Sequence, residues 1–482
     1  MNHCRFENIT PINGFDAINP DNAMQNNYAW SMAEFNGYLY VGTGRNIPYF
    51  AILNMGIEPP NELTPQNPSN TAEIWRYPLF GRRKRWERVY KAPQGSGIMG
   101  FRYMITYTND DEVTALYCAG FSIDNSTLLM TTNGTDYIDV SSGIPNGFST
   151  RAMAVYKNKL YTGATNALDY SSDSYLYVTE NPEDGWRQID FGDYDIPTGE
   201  IVSMISFNGY LYIGTSPAGG FEVWKSADPE NGKWKLVVDK GAGDALNEVP
   251  MCMEVFKNHL YVGTGIWLGF DSVDPDKSFV PPKGFDVIKI NKNDSWKVVV
   301  GGTPISPTRP TTGRRNHADY PSGFGNMFNS YCWQIRAFKG KLYIGSWDSA
   351  VLFNSIIMNI INNIIGDEEL SSAIGDDFSI DDETSVDRLL QELTEFSITD
   401  FISYNWIAWL RDFLCTLKKY PHEFGFDLFE SSNGEDYCPI TLNGFNNQYN
   451  YGLRTMLVTK DNCKMFLGTA NPYEGCEVWM LK

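Results

Sequence analysis

One short pattern recurs seven times along the chain and constrains its fold more than any other feature. Each copy is an apolar strand, a tight turn and a second strand that reads Leu-Tyr-x-Gly-Thr or a close variant. The second strands contain Leu39, Leu116, Leu160, Leu211, Leu260, Leu342 and Met465 at the first position of this pattern. Internal repeats of this length are typical of radial arrays of small β-sheets. The sequence therefore predicts an all-β fold, a seven-bladed β-propeller that spans residues 1–482.

The two ends of the chain share one copy of the repeat. The last copy stops after its third strand, while Phe6 and Ile9 repeat the spacing of Tyr437 and Ile440, which form the fourth strand of the copy before it. We expect residues 1–15 to supply the missing outer strand. This strand would close the ring and remove an open sheet edge.

Long insertions all emerge on one predicted face of the ring. The opposite face has short turns such as Asn36-Gly37 and Asn208-Gly209. The insertions occupy residues 44–71, 265–284, 301–330 and 349–423. Loops that crowd one end of a rigid scaffold are typical of a binding or active site. The largest insertion, 349–423, lies in the sixth blade and is predicted to form a helical lid.

The lid has an amphipathic segment with apolar residues at helical spacing. Its apolar positions are Val386, Leu389, Leu390, Leu393 and Phe396, behind a predicted cap at Thr384 or Ser385. Two further apolar segments, 356–361 and 401–417, favour additional helices. These helices either pack on one another and on the rim, or line a slot for an alkyl or aromatic ligand.

An acidic segment, 366–400, lies between these helices. It is interpreted as a solvated linker. Calcium binding at Asp376-Asp377 and Asp381-Asp382-Glu383 is the alternative, although the spacing of an EF-hand loop is absent.

Composition excludes several classes of partner. The net charge of −20 and the lack of a basic stripe argue against nucleic acid. The sequence has neither a signal peptide nor an apolar stretch long enough to span a bilayer. A soluble, cytoplasmic protein is expected. Cys118, Cys252 and Cys332 are predicted to be buried thiols, and Cys463 and Cys476 are the one pair that could lie near each other.

The innermost strands indicate a candidate site. A Met or Ile marks the register of each copy, and the residue two positions earlier should begin the strand at the insertion-bearing face. These residues are Trp30, Arg102, Arg151, Val202, Met251, Trp333 and Arg454. Three arginines and two tryptophans there could bind an anion or a carboxylate beside an aromatic slot. Alternatively, each arginine pairs with a carboxylate of its neighbouring blade.

The last two copies resemble a known family. The segments Gly345-Ser346-Trp347-Asp348, Asn450-Tyr451-Gly452-Leu453-Arg454 and Gly468-Thr469-Ala470-Asn471-Pro472 are similar to the propeller of the cylindrocyclophane-forming alkylating enzymes of cyanobacteria. The resemblance implies that Asp348 is a general base and Tyr451 a hydroxyl that stabilises a leaving halide, with Trp347 beside the substrate. The family's calcium-binding N-terminal domain and its arginine have no counterpart here, so Arg102 or Arg454 would take that place.

Two functions follow as alternatives. The first is a small-molecule enzyme, with alkylating or other bond-forming chemistry on an aromatic or carboxylate substrate that bears an apolar chain. The second is a non-catalytic scaffold that binds a protein partner through lid and rim. A buried pocket that joins Asp348, Tyr451 and an arginine would favour the enzyme. No cofactor is predicted apart from the calcium alternative.

Overall fold

The computed structural model describes residues 6–54, 59, 63–65, 70–82, 84–122, 124–166, 173–192, 196–266, 283–302, 320–352, 382–395, 411–412, 414–415 and 423–482. Antiparallel strands dominate these residues, and the fold is all-β and propeller-like. No described helix is long and apolar enough to cross a membrane.

Strand pairing groups the strands into four-stranded antiparallel units, each named here by its first strand. The β2 unit contains β2 (Asn26–Phe35), β3 (Tyr38–Arg45), β4 (Glu73–Pro78) and β5 (Glu87–Lys91). The β6 unit contains β6 (Gly100–Thr108), β7 (Thr114–Phe121), β8 (Leu128–Thr131) and β9 (Ile138–Asp139). The β10 unit contains β10 (Phe148–Tyr156), β11 (Lys159–Asn166), β12 (Tyr175–Thr179) and β13 (Arg187–Gln188). The β14 unit contains β14 (Glu200–Phe207), β15 (Tyr210–Ser216), β16 (Glu222–Asp228) and β17 (Lys233–Val238).

The remaining units follow the same plan. The β18 unit contains β18 (Val249–Phe256), β19 (His259–Gly265), β20 (Val287–Ile290) and β21 (Trp296–Val300). The β22 unit contains β22 (Asn329–Phe338), β23 (Lys341–Asp348), β24 (Leu428–Ser431) and β25 (Cys438–Thr441). The β26 unit contains β26 (Gly452–Val458), β27 (Met465–Ala470), β28 (Val478–Leu481) and the N-terminal β1 (Phe6–Asn8).

Short helices lie in the connections. They are α1 (Pro20–Met24), α2 (Ile47–Asn54), a single kinked turn α3 (Lys240–Gly243) and α4 (Glu383–Glu395). Three 3₁₀ segments, Pro182–Asp184, Pro229–Asn231 and Ser322–Gly325, lie in further connections.

First strands of neighbouring units lie side by side. Contacts join β2 to β6, β6 to β10, β10 to β14, β14 to β18, β18 to β22, β22 to β26 and β26 to β2. By hydrogen bonding, the strands divide into one 20-stranded sheet and two four-stranded sheets, the β10 and β14 units. The site described below lies among these first strands.

The hairpin turns follow from local chemistry. Asn36 and Gly37 have φ angles of 47° and 77°, and Asn208 and Gly209 have 50° and 80°. Positive φ at both central residues defines the type I′ turn, whose twist matches that of the flanking strands. The Asn-Gly dipeptides thus direct the first strand of a unit straight back into the second.

The glycine of the repeat is required by packing between units. A Cβ on Gly42 would lie 2.5 Å from the Cβ of Phe101 in the next unit, and one on Gly263 would lie 2.3 Å from the Cys332 sulfur. These separations are far below van der Waals contact. The repeat therefore retains glycine because the next unit packs directly on the backbone at this position.

A polar tether recurs in four units and was not foreseen from the sequence. A buried asparagine donates one hydrogen bond to a loop carbonyl and another to a buried carboxylate at the start of the third strand. The pairs are Asn26 with Glu73, Asn247 with Asp286, Asn329 with Asp427 and Asn450 with Glu477, at 3.1, 2.9, 2.7 and 2.9 Å. These bonds anchor the loops that precede the first strands to the third strands of the same units.

The N-terminal strand, the lid helix and the cap of that helix were predicted from the sequence. The N-terminal strand pairs with the last strand as predicted, with Phe6 opposite Leu481. The predicted lid helix is present as α4, and Val386 and Leu389 are buried. The predicted cap was wrong: the Asp382 carboxylate accepts from the Ser385 backbone N–H at 2.8 Å, because Asp competes well for free N–H groups at a helix start. Segment 356–361, residues Asp376 and Asp377, and most of 401–417 lie outside the described residues.

The described cysteines differ in their exposure to solvent. Cys118, Cys252 and Cys332 are buried as predicted, and Cys463 is exposed, whereas Cys476 is buried. The two described sulfurs that approach each other belong instead to Cys252 and Cys332, at 4.0 Å on neighbouring first strands.

Candidate functional site

A central cavity of about 750 Å³ lies among the first strands. Residues of β2, β6, β10, β14, β18, β22 and β26 all contribute to its wall, together with α2. This volume falls within the range of small-molecule sites. The cavity is therefore the candidate functional site.

Each first strand carries a β-bulge where it meets the cavity. The β2 and β22 strands have one further register shift each, at Asn27 and Ser330. In every unit the register of pairing with the second strand shifts at one residue of the cavity wall. The bulged residues are Trp30, Arg102, Arg151, Val202, Met251, Trp333 and Arg454, and all of them line the cavity. A bulge changes the direction of a side chain relative to the regular strand. The residues selected from the sequence by register thus occupy one structural position in every unit.

Two of the arginines stack on the tryptophans. The guanidinium carbon of Arg454 lies 5.1 Å from the centre of the Trp333 ring and 5.8 Å from that of Trp30. Arg102 lies 5.8 Å from the Trp30 ring and 5.2 Å from the Phe121 ring. Stacking on aromatic faces holds a guanidinium in place while leaving its edge available to a ligand.

Arg454 has an unusual electrostatic environment. Burial, reinforced by the positive charges of Arg102 and Arg151, lowers the pKa of its guanidinium to about 9. Its Nε is buried and has no hydrogen-bond partner in the part of the chain that the structure describes. Across the same residues, no carboxylate forms an ion pair with Arg454. The free protein therefore carries a poorly solvated positive charge on the cavity wall.

Two other arginines of the wall, Arg151 and Arg336, are paired with carboxylates. Arg151 lies 2.9 Å from the Glu200 carboxylate, as the pairing alternative predicted for it. Arg336 lies 2.8 Å from Glu254. These two arginines differ from Arg454 in having a carboxylate partner in the protein.

Two tyrosine hydroxyls meet beside Arg454. Tyr28 and Tyr451 share a very short hydrogen bond between their hydroxyl oxygens. Burial raises the pKa of each phenol, so both stay protonated at neutral pH. Tyr451 was selected from the sequence, but Tyr28 was not. Its position two residues before the bulged Trp30 could have indicated it.

Asp348, predicted as a general base, is not among the described residues that line the cavity. It is fully buried, and its carboxylate accepts hydrogen bonds from the backbone N–H groups of Ala350 at 2.9 Å and Gly425 at 3.0 Å. Burial raises its pKa well above the usual range. Its backbone N–H donates to the Tyr451 carbonyl at 2.7 Å. Asp348 thus neighbours Tyr451 through the backbone, and its catalytic role remains a prediction.

An aromatic and aliphatic cluster borders the cavity on the insertion-bearing side. Trp347, predicted from the family resemblance, packs against Tyr331 with ring centres 4.5 Å apart, and both line the cavity. Helix α2 adds Ile47, Pro48, Ala51 and Ile52 to the wall. This helix was not predicted, although the apolar run 47–53 within the 44–71 insertion could have indicated it. The wall is therefore apolar and aromatic around the arginines.

Among the described residues, no cluster of three His, Cys, Asp or Glu side chains is arranged to hold a metal ion. The calcium alternative involves Asp376, Asp377 and Asp381, which are not described, and Asp382, whose carboxylate accepts from the Ser385 backbone N–H at the start of helix α4. It stays a prediction.

No protein-family model matches the sequence, and no curated protein matches it. Among solved structures, the chain is similar to the crystal structure of a nidogen/laminin complex. The identity is 10%, 58% of this chain and 84% of that chain are covered, and the TM-score is 0.34. A putative 6-phosphogluconolactonase from Bacteroides uniformis matches at 11% identity, with 67% and 79% covered and a TM-score of 0.38. The computationally designed Ika8 protein matches at 10% identity, with 94% and 96% covered and a TM-score of 0.38.

These similarities carry no functional argument. None of the comparisons supports the predicted alkylating family, which stays a prediction. Strand pairing and the cavity define the class of protein: a propeller-like all-β protein with a central, arginine-bearing and aromatic cavity.

Proposed function

We propose that this protein binds a small organic anion with an aromatic or apolar part in the central cavity. The observation that carries the proposal is the partly buried Arg454, whose Nε is buried, which has no carboxylate partner among the described residues and which stacks between Trp30 and Trp333. A guanidinium in this environment gains most from a carboxylate, with which it forms two parallel hydrogen bonds. The indole rings provide the surface for an attached aromatic group.

The surroundings of Arg454 support the same ligand class. Arg102 adds positive potential, while the charge of Arg151 is balanced by Glu200. The Tyr28–Tyr451 pair contains two hydroxyl protons, one of which is used between the two oxygens. The other proton is available to an anionic ligand oxygen.

Catalysis is a separate proposal that the placement of Asp348 does not favour. The predicted enzyme requires a base that reaches the substrate, and the described cavity wall includes Tyr451 and Arg454 without Asp348. The open cavity nevertheless supports small-molecule binding over the scaffold alternative, because a plugged channel would leave no room for a ligand. The scaffold alternative depends mainly on the lid, most of which lies outside the described residues.

We further propose that the units form a closed ring of seven blades. Pairing of β1 with β28 supports closure between the two ends of the chain. Contacts of β2 with both β6 and β26 support it as well.

Replacement of Arg454 by methionine tests the ligand proposal. A buried charge that lacks a partner costs stability, so Arg454→Met should unfold at a higher temperature than the wild type without ligand. Benzoate should raise the unfolding temperature of the wild type and leave that of Arg454→Met unchanged. Acetate and benzyl alcohol, which lack the aromatic or the anionic part, should have smaller effects on the wild type.

Arg336→Met is the matched control, because Arg336 lines the same cavity and is paired with Glu254. This variant should unfold at a lower temperature and keep its response to benzoate. Destabilisation of Arg454→Met together with an unchanged benzoate response would contradict the proposal and identify Arg454 as a structural group.

A further inference from the structure

A cation neutralises the recurring asparagine–carboxylate tether in the β18 unit. The Asn247 carboxamide oxygen accepts a hydrogen bond from the buried ammonium of Lys283 at 2.8 Å. The same ammonium lies 3.1 Å from the carboxylate of Asp286. The Asp286 carboxylate also accepts a hydrogen bond from the Ser322 hydroxyl at 2.6 Å, and the ammonium lies 3.3 Å from the Asp244 carboxylate. Every side-chain oxygen of Asn247 and Asp286 therefore has a partner.

The β2 unit obtains its cation from a different position. The carboxamide oxygen of Asn26 accepts from the guanidinium of Arg45 at 2.8 Å, and the two residues are opposite each other in the strand register. In the β26 unit an amide takes this role, since Asn471 donates to the oxygen of Asn450 at 3.2 Å. A donor thus reaches the asparagine oxygen in each of these units.

The β22 unit departs from both arrangements. Opposite Asn329, where the β2 unit has Arg45, stands Asp348. Three residues before Asp427, where the β18 unit has Lys283, stands Phe424. Both positions that supply a cation elsewhere carry a residue that cannot supply one.

One unpartnered oxygen follows from these replacements: Asn329 Oδ1 is buried and has no hydrogen-bond partner among the described residues. Asp427 Oδ1 is likewise buried and unpartnered among them, whereas the corresponding Oδ1 of Asp286 accepts a hydrogen bond from the Ser322 hydroxyl at 2.6 Å. Burial raises the pKa of Asp348 and of Asp427, and the negative charge of Asp427 raises the first further while that of Glu423 raises the second. Buried acceptor oxygens without a donor are costly, and buried like charges more so.

We propose that Asp348, Asp427 and the side-chain oxygen of Asn329 bind a hard divalent cation, Ca²⁺ or Mg²⁺, in place of the Lys283 ammonium. Carboxylate and amide oxygens are the protein ligands that both ions prefer, and water can complete their coordination. Asp348 keeps lone pairs for this purpose, since each of its oxygens accepts one backbone N–H. The site lies outside the cavity wall and does not depend on the proposed organic ligand.

Thermal unfolding of EDTA-treated protein tests this site. Added CaCl₂ or MgCl₂ should raise the unfolding temperature of the wild type by several degrees, against NaCl at matched ionic strength. Isothermal titration should give one bound ion for this site. Phe424→Lys restores the arrangement of the β18 unit, so it should be more stable than the wild type without metal and should not respond to either ion.

Asp427→Asn should likewise lose the response, because it removes one ligand charge. Asp286→Asn is the matched control in the β18 unit and should be destabilised while still responding to the metal. An unresponsive wild type would overturn the proposal. So would a full response in Phe424→Lys, which would assign cation binding to another part of the chain.

Discussion

At the scale of single residues, the bulged positions determine what the cavity can bind. Each unit presents one side chain at its bulge, and the chemistry of that side chain varies while its position stays constant. On one side of the cavity Trp30, Arg102, Trp333 and Arg454 form a cationic and aromatic surface. Val202 and Met251 make the other side apolar. The cavity thus has two chemically different sides.

The lowered pKa of Arg454 predicts how ligand binding depends on pH. Burial moves this pKa from 12.5 to about 9, so the folded protein releases the proton more easily than the unfolded chain. Below pH 9 the folded state bears the full cost of the buried charge, and stability from this group increases as pH rises from 9 toward 12.5. An anion binds only the charged form. The benzoate-induced rise in unfolding temperature should therefore decline above pH 9, and a response that stayed constant to pH 10.5 would contradict this assignment.

At the scale of elements, close packing between neighbouring units explains why the repeat tolerates so little variation. The second-strand glycine lies against the first strand of the next unit, and the tether joins the loop before a first strand to the third strand of the same unit. Both features depend on precise separations. A substitution at the glycine or in the tether should therefore alter the packing between neighbouring units and lower stability.

Gly263→Ala tests the packing between the β18 and β22 units. The added methyl group would meet Cys332 at 2.3 Å, and overpacking of a close-packed interior typically costs about 1–3 kcal/mol. Chemical denaturation should show this loss in the free energy of unfolding. The double variant Gly263→Ala/Cys332→Ala should recover part of it, because removal of the sulfur makes room for the methyl group. An undiminished stability in the single variant would show that the interface can shift.

At the scale of the whole molecule, the N-terminal strand joins the first described residues to the last. Phe6, Glu7 and Asn8 pair with Leu481, Met480 and Trp479. Phe15 adds packing against Trp75 and Trp86 of the β2 unit, with ring centres 5.7 and 4.6 Å away. The N-terminal segment therefore contacts two units at once.

Removal of residues 1–15 should lower stability by several kcal/mol, because burial of one large apolar side chain is worth about 1.5–3 kcal/mol and strand hydrogen bonds are lost as well. Thermal unfolding monitored by circular dichroism would measure the change. Removal of residues 1–5 is the control and should have a smaller effect, since Phe6, Glu7 and Asn8 keep their pairing with the last strand. An unchanged transition after removal of 1–15 would contradict the proposed ring closure.

The sequence by itself determined the strands and their order. Strand formation and tight turns depend on local patterns, such as the alternation of apolar and polar residues around Leu-Tyr-x-Gly and the Asn-Gly dipeptide. These patterns can be recognised without knowledge of tertiary contacts. Repetition also aligned the positions that became the bulged residues. Only the tertiary structure decided which charges are paired, because a partner such as Glu200 for Arg151 lies 49 residues away in the chain. For the same reason, the isolation of Arg454, the hydroxyl pair of Tyr28 and Tyr451, and the burial of Asp348 away from the cavity emerged only when distant units were packed together.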